Sequence, residues 1–305
     1  EIVFGDWSSD VCSSDLMCHA VGVKFMVDLV INHTAIDAVE MHPGWYAEKF
    51  ALIEKNSENI IRFFEDDEDP VINEYPPNEY YLEKRIANPF AIDPADSRKI
   101  TIWGDLAEIN YKSDKKKEIM DHWKQLINLY LKIGVDGFRC DAAYKLPREI
   151  WNELIQYTKS KEPKIIFFGE TLGCTLKELE EISGVFDYIA SSSKYWDFTA
   201  PWALEQYEAF RAHAPSISFP ESHDTLRLAF ETHGREDVQK FRYLFAAFFS
   251  AGIMMPMGFE FGFKKKMDVV DGKPADYEAP SFDISSFIKE FNTFKPHRQI
   301  GRAHV

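Results

Sequence analysis

The chain has 305 residues, 45% of them apolar, which is enough to bury one large core or two modest ones and places it among folded proteins. Its formal net charge of −15 argues against nucleic acid or anionic lipid as partners, since both attract basic surfaces. No apolar run approaches the roughly 18 residues of a membrane-spanning helix, so no membrane partner is expected.

The two ends are unusual. Residues 6–16 read DWSSDVCSSDL and residues 300–305 read IGRAHV. DNA able to encode the second is the reverse complement of DNA able to encode part of the first, and both resemble a sequencing-library adapter translated in frame. Residues 1–16 and 300–305 are therefore set aside as adapter-derived, leaving 17–299 for fold reasoning. The native start is then absent, so the lack of a signal peptide says nothing about export. Cys12 leaves the cysteine count; Cys18, Cys140 and Cys174 remain, an odd set without metal-ligand spacing. Free thiols give a weak lean to the cytoplasm, and localisation stays open.

Residues 24–31 (KFMVDLVI) form a short apolar run that suits a strand buried on both faces, as in parallel sheets. Residues 34–110 are polar and rich in Pro, Asn, Asp and Glu. A structureless loop of that length is improbable within one domain, so a small irregular subdomain inserted after the first visible strand is expected. The acidic stretch Glu65-Asp66-Asp67-Glu68-Asp69 within it reads as solvated surface. Five more strand-like runs follow, at 134–140, 164–168, 185–190, 216–219 and 252–257. Helical patterns separate them at 115–133, 148–159, 176–182, 201–212 and 236–249. Strands alternating with helices indicate right-handed βαβ units and a parallel α/β sheet.

Carboxylates stand at the ends of these strands. Arg139 and Asp141 are two apart on one strand and so point the same way; a carboxylate beside a guanidinium stays ionised, as a nucleophile must. The competing reading of Asp141 is an ordinary strand-end residue that caps the next helix. Glu170 ends the run KIIFFGE, where apolar neighbours would raise its pKa and let it protonate a leaving oxygen. His223 and Asp224 end a third strand in FPESHDT, which also reads as a helix start. Each is weak alone. Together, three carboxylates and two imidazoles at the carboxyl ends of strands match where barrel enzymes build their sites. An acid, a base and a further carboxylate on one ring suit glycosidic cleavage through an oxocarbenium-like transition state.

Four segments, Asp28-Leu29-Val30-Ile31-Asn32-His33, Gly137-Phe138-Arg139-Cys140-Asp141, Phe167-Phe168-Gly169-Glu170 and Ser222-His223-Asp224, resemble in order and spacing the four sequence regions of glycoside hydrolase family 13, the α-amylase family. The resemblance spans 17–299. It implies a (β/α)8 TIM barrel with a subdomain after the third strand, which 34–110 would supply; the chain would hold about strands 3 to 8. It further implies Asp141 as nucleophile, Glu170 as general acid and then base, and Asp224 as the carboxylate that binds and distorts the sugar. Arg139, His33 and His223 would contact that sugar or orient the carboxylates, and Asp28 would support its strand end. Tyr144 and Lys145 fall on the turn after the nucleophile, where many relatives carry Lys-His, as substrate contacts. Ser222 stands where Asn is more usual. Asn32 and Asp105, the latter in Gly104-Asp105-Leu106, would be oxygen ligands of an optional calcium ion, with no other cofactor required.

The expected activity is double-displacement cleavage of α-1,4-linked glucans or maltooligosaccharides with retention of configuration; transglycosylation differs only in whether water or a sugar hydroxyl attacks the intermediate. From another class, a non-catalytic barrel homologue serving as a binding scaffold would usually have lost one of the three carboxylates. A metal-dependent barrel hydrolase would want His-x-His after its first strand, and a nucleotide enzyme a Gly-rich phosphate loop; the sequence has neither. The 7 Trp and 13 Tyr are available for stacking on sugars but serve large cores equally well. Six strands where eight would close leave two open edges, from which aggregation or negligible activity of the isolated chain is expected.

Overall fold

The structure, a computed structural model, describes residues 2–5, 17–65, 75–93, 96–191, 193–268 and 272–294. The presumed adapter stretches 6–16 and 300–305, and all of the acidic run except Glu65, lie outside the described residues.

The chain forms two compact units. The first comprises Glu1–Asp28, Val135–Ile155 and Lys164–Val305. It is built on one seven-stranded sheet: β1 (Ile2–Gly5), β2 (Lys24–Leu29), β3 (Gly137–Cys140), β4 (Ile166–Gly169), β5 (Tyr188–Ala190), β6 (Ser216–Ser218) and β7 (Gly252–Ile253) lie side by side in that order. The recorded pairings are parallel. Six of these strands were expected; β1, in the segment set aside above, adds the seventh. β7 covers only the first two residues of its apolar run, and Met254 N still donates to Ser218 O beyond it. Helices α1 (Lys116–Ile133), which belongs to the second unit, α2 (Arg148–Lys161), whose residues divide between the two units, and α3 (Leu176–Ile182), α4 (Trp202–His213) and α5 (Glu236–Phe248) of the first fall where the 3.6-residue patterns place them. A further helix, α6 (Ser285–Phe294), went unforeseen.

Local chemistry fixes the ends of these helices. Thr175 and Glu178 form a reciprocal capping box at the start of α3, and Gly134, at φ +102°, closes α1 in the left-handed conformation that glycine tolerates. At the centre of the sheet Met26, Phe168, Ala190 and Phe219 pack together, one each from β2, β4 and β5 and one just beyond β6. Burying a side chain of this size contributes about 1.5–3 kcal/mol. Because side chains alternate along a strand, Asp28 and Glu170 project on the same face as Met26 and Phe168, two residues further toward the carboxyl end. The apolar layer is thus a floor and the next layer is charged.

The second unit comprises Leu29–Gly134 and Gln156–Pro163. The polar excursion 34–110 is more regular than expected. His33–Ala35 pairs antiparallel with Leu106–Glu108; Glu48–Glu54 lies between Ile60–Phe63 and Tyr80–Ile86; and Phe90–Asp93 pairs with Asp96–Ile102. Ala47, Ala51, Ile53, Phe63 and Ala87 form its small core. Lys49 is buried there, with its Nζ 2.9 and 3.0 Å from the two carboxylate oxygens of Glu108 and 2.9 Å from Glu65.

Candidate active site

β3 and β4 are neighbours in register, Cys140 opposite Gly169, so the next residue on each, Asp141 and Glu170, emerge side by side. Adjacent strands lie about 4.8 Å apart. The backbone extends the pairing past the strand ends: Glu170 N donates to Cys140 O at 3.0 Å and Ala143 N to Glu170 O at 2.9 Å.

Arg139 is the hub of the charged layer. Only 6% exposed, it donates from Nη1 to Asp141 Oδ1 at 2.9 Å and to Asp28 Oδ2 at 3.2 Å. Burial alone would lower its pKa, but Asp28, Asp141, Glu170 and Asp224 together hold the guanidinium above its ordinary value. Asp28 is pushed up by burial and drawn down by Arg139.

Glu170 is half-buried and anchored through its backbone neighbours. Ala142 N donates to one carboxylate oxygen at 3.0 Å and Leu172 N to the other at 2.5 Å. Ala142 adopts φ +39°, ψ +50°, a left-handed conformation that costs an alanine roughly 1–2 kcal/mol. This turn carries the chain away from Asp141 while its N–H meets Glu170. Burial pushes the Glu170 carboxyl up to about 7; Arg139 and the Leu172 amide pull down, and Asp141 and Asp224 push up. A carboxyl that titrates near neutrality suits proton donation and return.

Asp224 follows β6 on a tight turn in which its N–H donates to Ser222 Oγ at 3.2 Å, and Ser222 N donates to Thr225 Oγ1 at 3.0 Å. Its carboxylate is exposed and lies 3.3 Å from His223 Nε2. Tyr144 and Lys145 occupy a short 3-10 turn, Ala143–Lys145, next to Asp141. Tyr144 is half-buried, its hydroxyl raised first by burial and then by Glu170; Lys145 is exposed, with its amine 5.5 Å from the Tyr144 ring.

Of the residues singled out in the sequence, Asp28, Arg139, Tyr144, Lys145, His223 and the three carboxylates all lie in the first unit. His33, Asn32 and Asp105 lie in the second. Asn32 is buried and its Oδ1 meets no hydrogen-bond donor among the described residues, as a metal-ligating oxygen would. Asp105, however, is exposed at the other end of the same two-stranded ribbon: Ile109 N donates to Asn32 O, and Ile36 N to Asp105 O. Four residues of strand separate them, about 13 Å, too far for two side chains to share one ion. The two do not fit a common calcium site. Nor is any group of three or more His, Cys, Asp or Glu side chains arranged around a metal among the described residues.

The backbone donors to Glu170 were not foreseen. The turn at Ala142 carries no glycine to flag it, and amide donors have no side-chain signature.

Residues 10–224 match the model of the α-amylase catalytic domain. The chain belongs to the α-amylase family. Within this family it is 26% identical over 211 residues, 66% of its length, to the α-1,4-glucan:maltose-1-phosphate maltosyltransferase of Burkholderia pseudomallei, of which the match covers 19%. It is 25% identical over 293 residues to the α-amylase MalA of Haloarcula japonica, covering 88% of this chain and 36% of that protein. Among solved structures, an α-amylase from Lactobacillus plantarum superposes with a TM-score of 0.65 at 19% identity, covering 94% of this chain and 63% of that one. A cyclic α-maltosyl-(1→6)-maltose hydrolase from Arthrobacter globiformis, solved with maltose, gives 0.61 at 18% identity, covering 94% and 63%. The chain thus spans about a fifth to a third of these two curated relatives and under two thirds of these structures. As a family member it has the TIM-barrel fold, and its parallel sheet is consistent with an incomplete barrel. No described helix is long and apolar enough to cross a membrane.

Proposed function

We propose that this chain carries the catalytic centre of a retaining α-glycosidase acting on α-1,4-linked glucans or maltooligosaccharides, and that 34–110 is a subdomain inserted after the third barrel strand. The reading rests on one observation above all: Asp141 and Glu170 stand in register on adjacent strands, with a shared cation beside the first and a neutral-range carboxyl on the second. That neighbouring placement suits the roughly 5–5.5 Å carboxyl separation of double displacement rather than the wider gap that admits a water in inverting enzymes.

In this scheme the Asp141 carboxylate attacks the anomeric carbon while Glu170 gives its proton to the glycosidic oxygen. The C–O bond breaks and a glycosyl ester of Asp141 forms. Water then attacks the anomeric carbon, the bond from that carbon to the Asp141 oxygen breaks, and the water's proton passes to the Glu170 carboxylate, which restores both groups. Arg139 keeps Asp141 oriented. Asp224 and His223 grip the sugar hydroxyls at the cleavage point, and Tyr144 and Lys145 add contacts to the sugar chain.

Transfer to a sugar hydroxyl is the second reading, favoured by the maltosyltransferase among the relatives. Incubating the full-length protein with a maltooligosaccharide and a competing sugar acceptor, and following the first-formed anomer by NMR, tests both. Hydrolysis gives shorter products in the α configuration. Mostly longer products would replace hydrolysis by transfer, and first-formed β products would overturn the retaining assignment.

A further inference from the structure

The loop that presents His223 and Asp224 is flanked by a charge pair that the catalytic scheme does not use. Glu221 and Arg227 stand three residues before and three residues after Asp224, and they are 0% and 1% exposed. Arg227 Nε lies 3.0 Å from Glu221 Oε1. Each also ties down backbone: Glu221 Oε2 accepts from Leu228 N at 2.6 Å, and Arg227 Nη2 donates to Met257 O at 2.9 Å in the segment after β7. The turn between them is further pinned by Ser222 and Thr225, both buried.

A buried ion pair is a poor stabiliser, because desolvating both charges offsets most of their attraction, and an apolar pair of similar volume often serves stability as well. What such a pair does supply is a fixed geometry. Here it staples the two ends of a loop whose tip carries an exposed carboxylate 3.3 Å from His223 Nε2.

We propose that Glu221 and Arg227 are positioning residues: their buried pair closes the 221–228 loop and anchors it to the strand-β7 segment, which sets where the Asp224 carboxylate stands relative to Asp141 and Glu170. This rests on the glycosidase reading for its catalytic consequence, though not for its structural one. A misplacement of about 1 Å in a group that holds substrate can cost about 10²-fold in rate.

The test is the double variant Glu221→Leu/Arg227→Met in the full-length protein, which removes both charges and leaves neither stranded. Three measurements are made: thermal midpoint, crystal structure, and kcat and KM on a maltooligosaccharide. A thermal midpoint close to that of the unaltered protein is expected, with the Asp224 carboxylate displaced by about 1 Å or more and kcat/KM lowered about 10²-fold. Arg227→Lys keeps the pair but loses the fork that also reaches Met257, so it is expected to recover most of that loss. If the double variant yields no soluble protein, Arg227→Lys alone is read the same way, with a smaller displacement and a threefold or greater loss expected. An Asp224 that stays in place overturns the clamp whatever the activity. An unaltered protein inactive on every α-glucan overturns the glycosidase reading, while the structures still decide the clamp.

Discussion

Arg139 reaches Asp141 from two residues earlier on the same strand, its Nη1 donating to the carboxylate at 2.9 Å while also meeting Asp28 at 3.2 Å. The same guanidinium is the strongest influence drawing the Glu170 carboxyl down against burial. Removing it acts on both members of the proposed catalytic pair. Arg139→Met in the full-length protein is expected to lower turnover by at least about 10²-fold. Because a nearby cation favours the carboxylate form, its loss also moves the alkaline limb of the pH–rate profile upward. A limb that stays or moves down would contradict the electrostatic role assigned to Arg139.

In the proposed scheme Glu170 is protonated for cleavage, so the rate should fall as pH rises through its pKa, which burial pushes up to about 7. The alkaline limb of kcat/KM is expected there. Glu170→Gln is expected to abolish that limb and lower turnover by at least about 10³-fold, and Asp141→Ala to match it by removing the proposed nucleophile. Near-normal rates in either variant would refute these assignments.

The same displacement carries a stability consequence that needs no substrate. A carboxyl raised from 4.5 to about 7 on folding favours the protonated native state. The stabilisation is complete below pH 4.5 and is lost as pH climbs through 7. Relative to Glu170→Gln, the unaltered protein should therefore lose stability across that interval. The upper limit is about 3 kcal/mol, reduced by solvent reaching the half-buried group. Denaturant melts at several pH values would show it; a stability difference that does not change with pH would rule it out.

The barrel part of the fold was legible because buried parallel strands and amphipathic helices leave strong period signals. KFMVDLVI and KIIFF gave their strands within two residues, and α3 matched its forecast limits. The antiparallel strands of 34–110 were not legible. In Tyr80–Ile86 no residue is fully buried, so charged and apolar side chains mix without a clean alternation. Asp141, Glu170 and Asp224 stand out in the sequence through their strand-end positions, and all three follow strands of the first unit. The calcium expectation was not supported by placement, since sequence proximity of Asn32 to one strand end does not reveal which end of a ribbon Asp105 reaches. The Glu221–Arg227 pair escaped notice because two charges in a polar loop look solvated until the coordinates bury them.

Chelation follows from the same ribbon geometry. With Asn32 and Asp105 at opposite ends, they do not share an ion, and EDTA is expected to leave the thermal midpoint unchanged within about 1 °C. A drop reversed by calcium and not by magnesium would show that other oxygens complete a site around the unpartnered Asn32 Oδ1.

An indole braces the turn that follows Asp141. Trp151 is wholly buried on α2, where its Nε1 donates to Ala143 O at 2.8 Å and its ring meets Phe186 edge to face at 5.5 Å between centroids. Trp151→Phe keeps most of the apolar contact but leaves the Ala143 carbonyl to the longer bond from Leu146 N at 3.4 Å, a loss of about 1–3 kcal/mol. Because Ala143 follows the strained Ala142, whose N–H holds Glu170, the damage should extend to catalysis. The variant is expected to melt earlier in urea and, in the full-length protein, to lose turnover more than substrate affinity. A variant within about 0.5 kcal/mol of the unaltered protein would mean that Leu146 N satisfies the carbonyl by itself, and the turn would then owe its shape to its backbone bonds and Glu170.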